Sequence, residues 1–302
     1  MLEEESKVKD YLLTVFTPAY NRAHTLKRTY KSLQNQSKKD FIWLIVDDGS
    51  IDDTKNLVSQ WQKQNNGFHI EYIYKENGGM HTAHNTAYEN IKTVLNVCID
   101  SDDCLAEGAV EKIYNKWNQI KDNDKYAGIV GLDSDLYGNI IGTSFPEDMK
   151  ETTLSDFYAK GGKGDKKLVY RTEVINRYPA YPVFEGEKYV GLDYKYRLID
   201  QTYTLATMNE ILCNVEYQND GSSATMWKQY RTNPKGFAFL RTVYMMNAKS
   251  KKRAFIDAAH YVSSSLIARN KFFIKQSPKK LLTFLALPVG AILACVTLIK
   301  GR

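Results

Sequence analysis

Three carboxylates lie within four consecutive residues, where Asp100, Ser101, Asp102 and Asp103 follow the apolar residues 94–99. Carboxylates this close repel one another unless a cation neutralises their charge. Two carboxylates one residue apart can hold a hard divalent ion whose other positions are filled by diphosphate oxygens. Such an ion stabilises the charge that grows on a departing diphosphate. These residues are therefore the first candidates for a metal site.

A second acidic run, from Asp47 to Asp53, follows the apolar residues 41–46. A carboxylate such as Asp48 pairs well with a ring N–H, for example the N3–H of uracil. The same acids can instead cap the helix that follows. The sequence leaves both interpretations open.

The first apolar run, residues 12–16, is followed by Pro18, Tyr20 and Arg22. Tyr20 could stack on a nucleobase, and Arg22 could approach a phosphate. The alternative is a tight turn into the first helix, with the Arg22 side chain in solvent.

A pair of glycines ending at Gly79 follows the third apolar run, residues 70–74. Glycine lets a backbone approach a ligand closely, and the N-terminus of the next helix favours an anion. Lys75 adds a positive charge at the same place. His81 and His84 are spaced as a zinc pair could be, but no third ligand is apparent.

The second half of the chain offers Glu185, Glu187 and Asp193 as candidates for a general base. Transfer to a hydroxyl group with inversion needs a carboxylate that takes up the proton of the hydroxyl. The residues alone do not rank the three, and a salt-bridged surface loop is an equal alternative.

These motifs must be positioned by strands and helices that alternate along the first half of the chain. The four apolar runs are typical of strands buried on both faces, and each ends in polar or Gly-rich residues. Helical periodicity occupies residues 25–34, 52–64, 81–92 and 106–121. This order predicts a mainly parallel α/β sheet, in which ligands bind beyond the carboxyl ends of the strands.

The pattern changes after residue 145. Residues 145–190 are rich in Gly, Pro and Tyr, which indicates loops. The periodicities then predict a helix, two strands and two amphipathic helices. Their expected bounds are 192–198 for the first helix, 202–206 and 211–217 for the strands, and 237–247 and 252–268 for the amphipathic helices.

The basic residues are concentrated near the C-terminal end of the sequence. Residues 249–280 hold nine Lys or Arg and one acid, Asp257, and residues 281–299 hold no charge. A membrane span needs about 20 apolar residues, although Pro288 and Gly290 would weaken a straight helix. Cations beside an apolar segment favour an anionic membrane surface rather than nucleic acid as the partner. The alternative is a buried helix with solvated lysines.

The remaining composition is that of an ordinary globular chain, with 43% hydrophobic and 25% charged residues. The four cysteines form no CxxC pair, which favours reduced thiols in a cytosolic compartment. The charged residues 1–10 lack the apolar core of a signal peptide.

In this order the motifs resemble the family 2 glycosyltransferases of the GT-A fold, and more narrowly the bacterial enzymes of capsule and exopolysaccharide synthesis. The resemblance is specific over residues 11 to 200 and thin beyond. The segments that carry it are residues 16–22, 43–50, 76–79, 100–103 and 184–190.

The resemblance implies an inverting transferase with Mn²⁺ or Mg²⁺ and a UDP-sugar or similar donor. By position, Asp48 would hold the nucleobase of the donor. Asp100 and Asp102 would hold the ribose and the metal, and Asp103 would lie beside them. The other residues that would surround the donor are Pro18, Tyr20, Arg22, Lys75, Asn77, Gly79, Asn85 and Ser101.

The catalytic base implied by the resemblance is an acid on the helix after the Glu-Gly-Glu-Lys loop. Relatives usually carry Pro-Glu where this chain has Leu192-Asp193, so Asp193 is the first choice, with Glu185 and Glu187 as alternatives. The implied organisation is a donor half over residues 1–145, an acceptor half of the same domain over 146–235, and a helical membrane-associating extension over 236–302.

The Gln-x-x-Arg-Trp motif of processive synthases is absent from the sequence, which favours addition of one sugar. The basic and apolar C-terminal region fits an acceptor carried on a membrane lipid at the cytoplasmic face of the cell membrane. A sugar nucleotidyltransferase would need a Gly-rich loop after the first strand, where this chain has Pro18-Ala19-Tyr20. A non-catalytic membrane-associated assembly protein on the same fold is the other alternative.

Overall fold

The computed structural model describes residues 11–216 and 225–301. The strands are β1 (Leu13–Ala19), β2 (Phe41–Asp47), β3 (His69–Tyr74), β4 (Leu95–Cys98), β5 (Cys104–Leu105), β6 (Tyr126–Ser134), β7 (Glu151–Thr152), β8 (Lys166–Arg171) and β9 (Thr204–Asn214). The helices are α1 (Ala23–Gln34), α2 (Thr54–Gln62), α3 (Met80–Asn90), α4 (Ala109–Ile120), α5 (Leu154–Ala159), α6 (Thr172–Asn176), α7 (Asp193–Ile199), α8 (Met226–Thr232), α9 (Pro234–Met246), α10 (Lys251–Ile267), α11 (Phe273–Gln276), α12 (Lys280–Leu285) and α13 (Leu287–Lys300).

The strands form one mixed sheet in the order β3-β2-β1-β4-β8-β6-β9-β5, with β7 paired to β9. The first four strands are parallel, so their carboxyl ends lie at one edge, as the sequence predicts. Strand β8 is antiparallel to both β4 and β6, whereas β6 and β9 are parallel. The mixed α/β sheet with flanking helices is confirmed.

Strands β1, β2 and β4 are buried on both faces, which explains their apolar runs. The same prediction is wrong for β3, which is an edge strand of the sheet and is mostly partly exposed. On one face, Trp43 packs with Trp61 of α2 and Tyr30 of α1, and the Tyr30 and Trp61 rings are 4.2 Å apart. On the other face, the Phe16 ring meets the edge of His84 on α3 at 5.0 Å. Because successive side chains of a strand point to opposite faces, helices on both sides hold the strand ends in place.

Strands β6 and β8 were not predicted, although residues 127–132 of β6 form a buried apolar run followed by Asp133. Close backbone packing joins these two strands at Gly128, where an added Cβ would lie 2.0 Å from the Val169 carbonyl oxygen. The two strands predicted at 202–206 and 211–217 form the single strand β9, and Tyr217 lies outside the described residues.

The chain divides into two compact units. Unit 1 comprises the described residues up to Asn77 together with Ala83–Pro179 and Tyr196–Glu216, and it contains the sheet. Unit 2 comprises Gly78–Thr82, Ala180–Lys195 and the described residues from 225 onward. The boundary predicted at residue 145 differs from this division because β8 and β9, which follow it in the sequence, complete the sheet of unit 1.

The helices of unit 2 confirm the two predicted amphipathic helices as α9 and α10. The apolar residues 281–299 form two helices, α12 and α13, which meet at Ala286. In the part of the chain that the structure describes, no helix is both long enough and apolar enough to cross a bilayer.

Helix α13 packs on α10 through a close approach at Gly290. An added Cβ at Gly290 would lie 2.4 Å from the Val262 Cβ and 2.8 Å from the Ala259 carbonyl oxygen. A side chain at this position therefore forces the two helices apart, since packed interiors leave little free volume.

We expect Gly290→Leu to lower the free energy of unfolding by about 2 kcal/mol or more, because the added side chain meets α10. The control is Ala291→Leu, since Ala291 is the next residue of the same helix and is exposed. Chemical denaturation of both variants measures the difference, and equal stability would show that α13 does not pack on α10 as described.

Candidate functional site

The loops that follow β1 and β2 are joined by hydrogen bonds. The Asn21 amide donates to the Ser50 hydroxyl at 2.9 Å, and the Ile51 amide donates to the Asn21 side chain at 2.9 Å. The Ala23 amide at the start of α1 donates to Asp52 at 3.0 Å. These bonds hold two strand ends of unit 1 in one arrangement. Asp52 also accepts the backbone amide of Thr54 at 3.1 Å, at the start of α2, which is the helix that the sequence expected this acidic run to cap.

Asp47 has both carboxylate oxygens occupied by the protein. It accepts the Ser50 amide at 2.8 Å and the Tyr72 hydroxyl at 2.5 Å. Burial and the bond to Asp47 raise the pKa of Tyr72 far above its ordinary value. Asp47 therefore stabilises the loop after β2 and leaves its neighbour Asp48 as the candidate for ligand binding.

Asp48, Lys75 and Asn77 form a polar group at the ends of β2 and β3. The Lys75 ammonium is 2.6 Å from Asp48 Oδ1. The side-chain amide of Asn77 donates to the Asp48 backbone carbonyl at 2.7 Å and to Asp48 Oδ2 at 3.1 Å. The Asp48 side chain is 5% exposed and that of Lys75 is 20% exposed. The structure thus brings together three residues that the sequence assigned to the donor.

Gly49 allows this group to form. Its backbone has a φ of +83°, and an added Cβ would lie 2.7 Å from the Asn77 amide nitrogen. Any side chain at this position would push the loop that carries Asn77 away from Asp48.

The acidic turn after β4 is held from α1. The Arg28 guanidinium donates to the Asp102 carbonyl at 3.0 Å, and the Thr29 hydroxyl donates to the Asp103 carbonyl at 2.8 Å. Arg28 also forms an ion pair with Glu216. Ser101 is buried, whereas Asp100 and Asp102 are partly exposed. The turn is thereby fixed with two of its three carboxylates accessible.

Burial raises the pKa of Asp102, and the nearby charge of Asp100 raises it further, while the cations of Arg22 and Arg28 lower it. Arg22 is therefore close enough to act electrostatically on the acidic turn. A divalent cation would offset the repulsion between Asp100 and Asp102, so the residues present fit a metal.

Few side chains could coordinate a metal ion at the acidic turn. Among residues 11–216 and 225–301, no three His, Cys, Asp or Glu side chains converge on a position where they could hold a metal ion. Asp103 is turned to other partners, because it accepts the Glu216 amide at 3.3 Å and the Cys213 thiol at 3.8 Å. A metal at this turn would need other oxygens, such as those of a diphosphate.

Lys167 on β8 is a residue that the sequence analysis missed. Burial disfavours its charge, but Asp133, Cys213, Asp103 and Asp100 outweigh that effect and raise its pKa well above the ordinary value. Asp133, on the neighbouring strand β6, is 2% exposed. The only sequence signal was a lysine in an unassigned segment, since the antiparallel insertion of β8 beside β4 was not predicted.

His84 belongs to the core beneath the acidic turn. Its Nδ1 is 3.3 Å from the Tyr88 hydroxyl, and its Nε2 is 3.7 Å from the Cys98 sulfur. The Cys98 thiol lies 3.8 Å from Asp100 Oδ1. His84 thus reaches Asp100 through Cys98, and its ring packs against those of Phe16 and Tyr88. His81 is also buried.

The other candidates of unit 1 lie where the sequence placed them. Pro18 is buried within β1, opposite Val46, and Tyr20 follows the strand with its ring 47% exposed. Asn85 lies on α3 and is partly exposed. The exposed Tyr20 ring is available for stacking on a planar group.

Gly79 belongs to unit 2, where it packs on the loop of residues 184–190. Its φ is +94°, and an added Cβ would lie 1.9 Å from the Lys188 carbonyl oxygen. This close backbone contact explains the glycine independently of any ligand.

Asp193 is the first residue of α7, and Tyr244 of α9 holds its carboxylate. The Tyr244 hydroxyl lies 2.6 Å from Oδ1 and 2.5 Å from Oδ2. Burial, with the charges of Asp193 and Tyr230, raises the pKa of Tyr189 to about 12. The Tyr244 hydroxyl thus holds the Asp193 carboxylate in one orientation.

The two other candidate bases differ from Asp193. Both oxygens of Glu187 accept backbone amides at the start of α9, from Lys235 at 2.9 Å and from Gly236 at 2.8 Å. Glu187 therefore caps that helix. Glu185 is exposed, and its carboxylate has no partner among the described residues.

Comparison with known proteins agrees with this geometry. The family model described as "Glycosyl transferase family 2" matches residues 14–177. A relative from Campylobacter jejuni, named GalNAc(5)-diNAcBac-PP-undecaprenol beta-1,3-glucosyltransferase, is 33% identical over 183 residues. The match covers 58% of this chain and 57% of the relative, so the chain spans little more than half the length of this relative.

Solved structures share the fold. TarS of S. aureus in complex with UDP-GlcNAc aligns with a TM-score of 0.56 at 14% identity, over 94% of this chain and 90% of that one. A mannosyltransferase of Pyrobaculum calidifontis, in complex with GDP-Man and Mn²⁺, aligns with a TM-score of 0.56 at 16% identity, over 94% and 87%. At these identities the similarity concerns the fold alone.

We expect Lys167→Met to lower the free energy of unfolding by about 2–4 kcal/mol at pH 8, because buried carboxylates lose their cation. Burial raises the pKa of Asp103 to about 7, above its unfolded value. The folded state therefore binds the proton of the Asp103 carboxyl group more tightly than the unfolded state does. The free energy of unfolding falls as the pH rises from the unfolded pKa of Asp103 to its folded pKa. The loss in the variant should accordingly be smaller at pH 5 than at pH 8.

The control for this prediction is Lys160→Met, which removes an exposed lysine of the same unit. Urea denaturation at both pH values provides the measurement. A loss for Lys167→Met that is the same at pH 5 and pH 8 would contradict the electrostatic role of Lys167.

Proposed function

The chain belongs to glycosyl transferase family 2, and from this premise we propose that it moves one sugar from a nucleotide-sugar to a saccharide acceptor carried on a membrane lipid. The expected donor is a UDP-sugar, and the transfer inverts the anomeric centre. The observation that carries the proposal is the pair of polar groups at the carboxyl ends of the parallel strands: Asp48 with Lys75 and Asn77, and the acidic turn.

The nucleobase belongs at Asp48 and Asn77 in this proposal. Asp48 accepts bonds from Lys75 and Asn77. Its carboxylate, an acceptor by chemistry, is the group that we assign to a ring N–H of the nucleobase. Tyr20, exposed at the end of β1, is placed to stack on the base or ribose. A solved structure with this fold is described as a complex with UDP-GlcNAc, which supports a uridine donor.

Asp100 and Asp102 are the proposed ligands of a Mn²⁺ or Mg²⁺ ion. When bound, such an ion supplies positive charge to the departing diphosphate. Arg22 lies in the electrostatic field of Asp102 and would add to that charge. We assign Asp103 to the support of the turn, because its carboxylate is bonded to the Cys213 thiol and the Glu216 amide. A structure of this fold described with GDP-Man and Mn²⁺ supports the metal.

Asp193 is the proposed base, held in place by Tyr244. The carboxylate takes the proton of the acceptor hydroxyl as its oxygen attacks the anomeric carbon, and the bond from that carbon to the diphosphate breaks. Glu187 is unsuited to this task because both of its oxygens cap α9.

A lipid-linked acceptor is supported by the Campylobacter relative, whose name includes a diphospho-undecaprenol carrier. It is also supported by the seven Lys and Arg residues of the stretch 258–302, which holds no acid and suits an anionic cytoplasmic leaflet. Such an acceptor would place the reaction at the cytoplasmic face of the cell membrane, in the synthesis of a cell-surface polysaccharide.

The donor assignments predict two separable losses. Asp102→Asn should reduce the gain in UDP affinity that Mn²⁺ provides by about tenfold or more, while metal-free binding persists at Asp48. Asn77→Ala should weaken UDP binding by about tenfold both with and without Mn²⁺, because the lost side chain belongs to the proposed nucleobase site and not to the metal site. Isothermal titration of UDP with and without Mn²⁺ measures both quantities.

Asp122→Asn, at an exposed carboxylate in unit 1, is the matched control and should leave both affinities unchanged. If Asp102→Asn retained the full effect of Mn²⁺, the proposed metal site would be refuted. A wild-type chain that binds no nucleotide would favour the alternative of a non-catalytic assembly protein.

The base assignment predicts a loss of transfer without a loss of donor binding. Asp193→Asn should lower the transfer rate by about a factor of 10³, and Tyr244→Phe by about tenfold, because the carboxylate loses its orientation. The measurement is sugar transfer from a UDP-sugar to a lipid-linked acceptor, with UDP affinity determined in parallel.

Glu185→Gln serves as the control, since it removes a nearby exposed carboxylate of the same unit and should leave transfer intact. Transfer that survives in Asp193→Asn but fails in Glu185→Gln would move the base to Glu185.

A further inference from the structure

Helices α12 and α13 expose large apolar side chains. Between 43% and 74% of each of these side chains is exposed to solvent. We call them the apolar face: Leu281, Phe284, Leu285, Val289, Ile292 and Ile299. A contiguous set of this kind is unusual on a soluble surface and marks an interaction site.

The side of the same helices that faces the protein carries small residues. On α12 and α13 the buried positions are Thr283, Gly290, Ala294 and Thr297. Gly290 meets Val262 of α10 so closely that no side chain fits. The small residues let the helices lie against α10, and Leu282, Leu287 and Leu293 pack partly against the same core. The residues of the apolar face stay exposed.

A helix stabilised only by burial in its own protein places its large apolar side chains inward, where each contributes most to folding. Leu282, Leu287 and Leu293 do so here, whereas the residues of the apolar face remain largely in solvent. The two helices therefore carry large apolar side chains on both sides, and the fold leaves those of the apolar face without burial.

The charges around the apolar face are of one sign. Residues 258–302 contain no Asp or Glu but seven Lys or Arg. Lys271, Lys275 and Lys280 are exposed in the segment that leads into α12. At the far end of α13, Lys300 lies over the ring of Trp227 at 5.0 Å, and that ring is 41% exposed.

From these observations we propose that the apolar face docks on the surface of an anionic lipid bilayer. The large side chains of α12 and α13 insert between the headgroups, and the flanking lysines contact lipid phosphates. Trp227 and Lys300 form an aromatic and cationic pair of the kind that favours the interface between membrane and water. The helices lie along the surface.

A lipid surface fits the charge pattern better than a protein partner does. A second copy of this chain would bring the same lysines together, and the repulsion among them would oppose association. Anionic headgroups offer compensating charge along the whole stretch, together with an apolar layer directly below.

The test is sedimentation of the full chain with vesicles of phosphatidylcholine alone and of phosphatidylcholine with about one third phosphatidylglycerol. We expect binding to the anionic vesicles that falls as salt rises. Leu285→Ser with Ile292→Ser should lower this binding by about tenfold or more, because two inserted side chains are lost. Lys271→Glu with Lys275→Glu and Lys280→Glu should lower binding to the anionic vesicles by about tenfold or more.

Two control variants alter matched exposed residues of unit 1 and should bind as the wild type does. Tyr137→Ser removes an aromatic side chain that is 92% exposed. The second control reverses the exposed lysines Lys55, Lys63 and Lys160. All the substitutions lie at exposed positions, so thermal melting should show that every variant is folded.

Equal binding of the Leu285→Ser, Ile292→Ser variant and the wild type would overturn the proposal, as would failure of the wild type to bind anionic vesicles. A dimer in analytical ultracentrifugation that the same double variant dissociates would assign the face to a second copy instead. The assay contains no donor or acceptor, so it is independent of the proposed function. Asp102→Asn should therefore bind vesicles as the wild type does.

Discussion

The electrostatic constraint at the carboxyl edge of the sheet governs the arrangement of unit 1. Asp47, Asp48, Asp100, Asp102 and Asp103 all follow two of its parallel strands, and uncompensated carboxylates in partly buried positions are costly. The chain meets this cost with a different partner for each acid: the Tyr72 hydroxyl and Ser50 amide for Asp47, and the Lys75 ammonium for Asp48. Asp100 and Asp102 have less compensation, which is the condition under which a cation contributes most.

The cation that compensates the buried acids Asp133 and Asp103 comes from β8, a strand that is far from β4 in the sequence. Its antiparallel insertion places Lys167 among Asp133, Asp103 and Asp100. This cation offsets the charge of Asp133 and Asp103, and to a smaller extent that of Asp100. The same insertion explains why the sheet extends well beyond residue 145.

Unit 2 combines a fixed carboxylate with an outward apolar surface. Asp193 is held by Tyr244, and Glu187 anchors the start of the helix that carries Tyr244, so a single helix, α9, connects the proposed base with its support. Helices α12 and α13 pack on the unit through small residues and three leucines, and they leave a second set of large apolar side chains exposed. The proposed base and the proposed lipid-docking surface lie in one compact unit, which would suit an acceptor that is itself anchored in a membrane.

The sequence by itself determined the four parallel strands, the helices between them and the candidate residues at their carboxyl ends, because continuous apolar runs followed by polar turns are local signals. It also singled out the basic and apolar C-terminal segment. Only the tertiary structure distinguished the partners of the individual acids. Asp47, Asp103 and Glu187 differ from Asp48, Asp102 and Asp193 in what they bind, although all six side chains carry a carboxylate. Lys167 and the outward orientation of α13 were likewise beyond the sequence. They depend on which strand or helix lies opposite, and such long-range contacts leave no periodic trace in the chain.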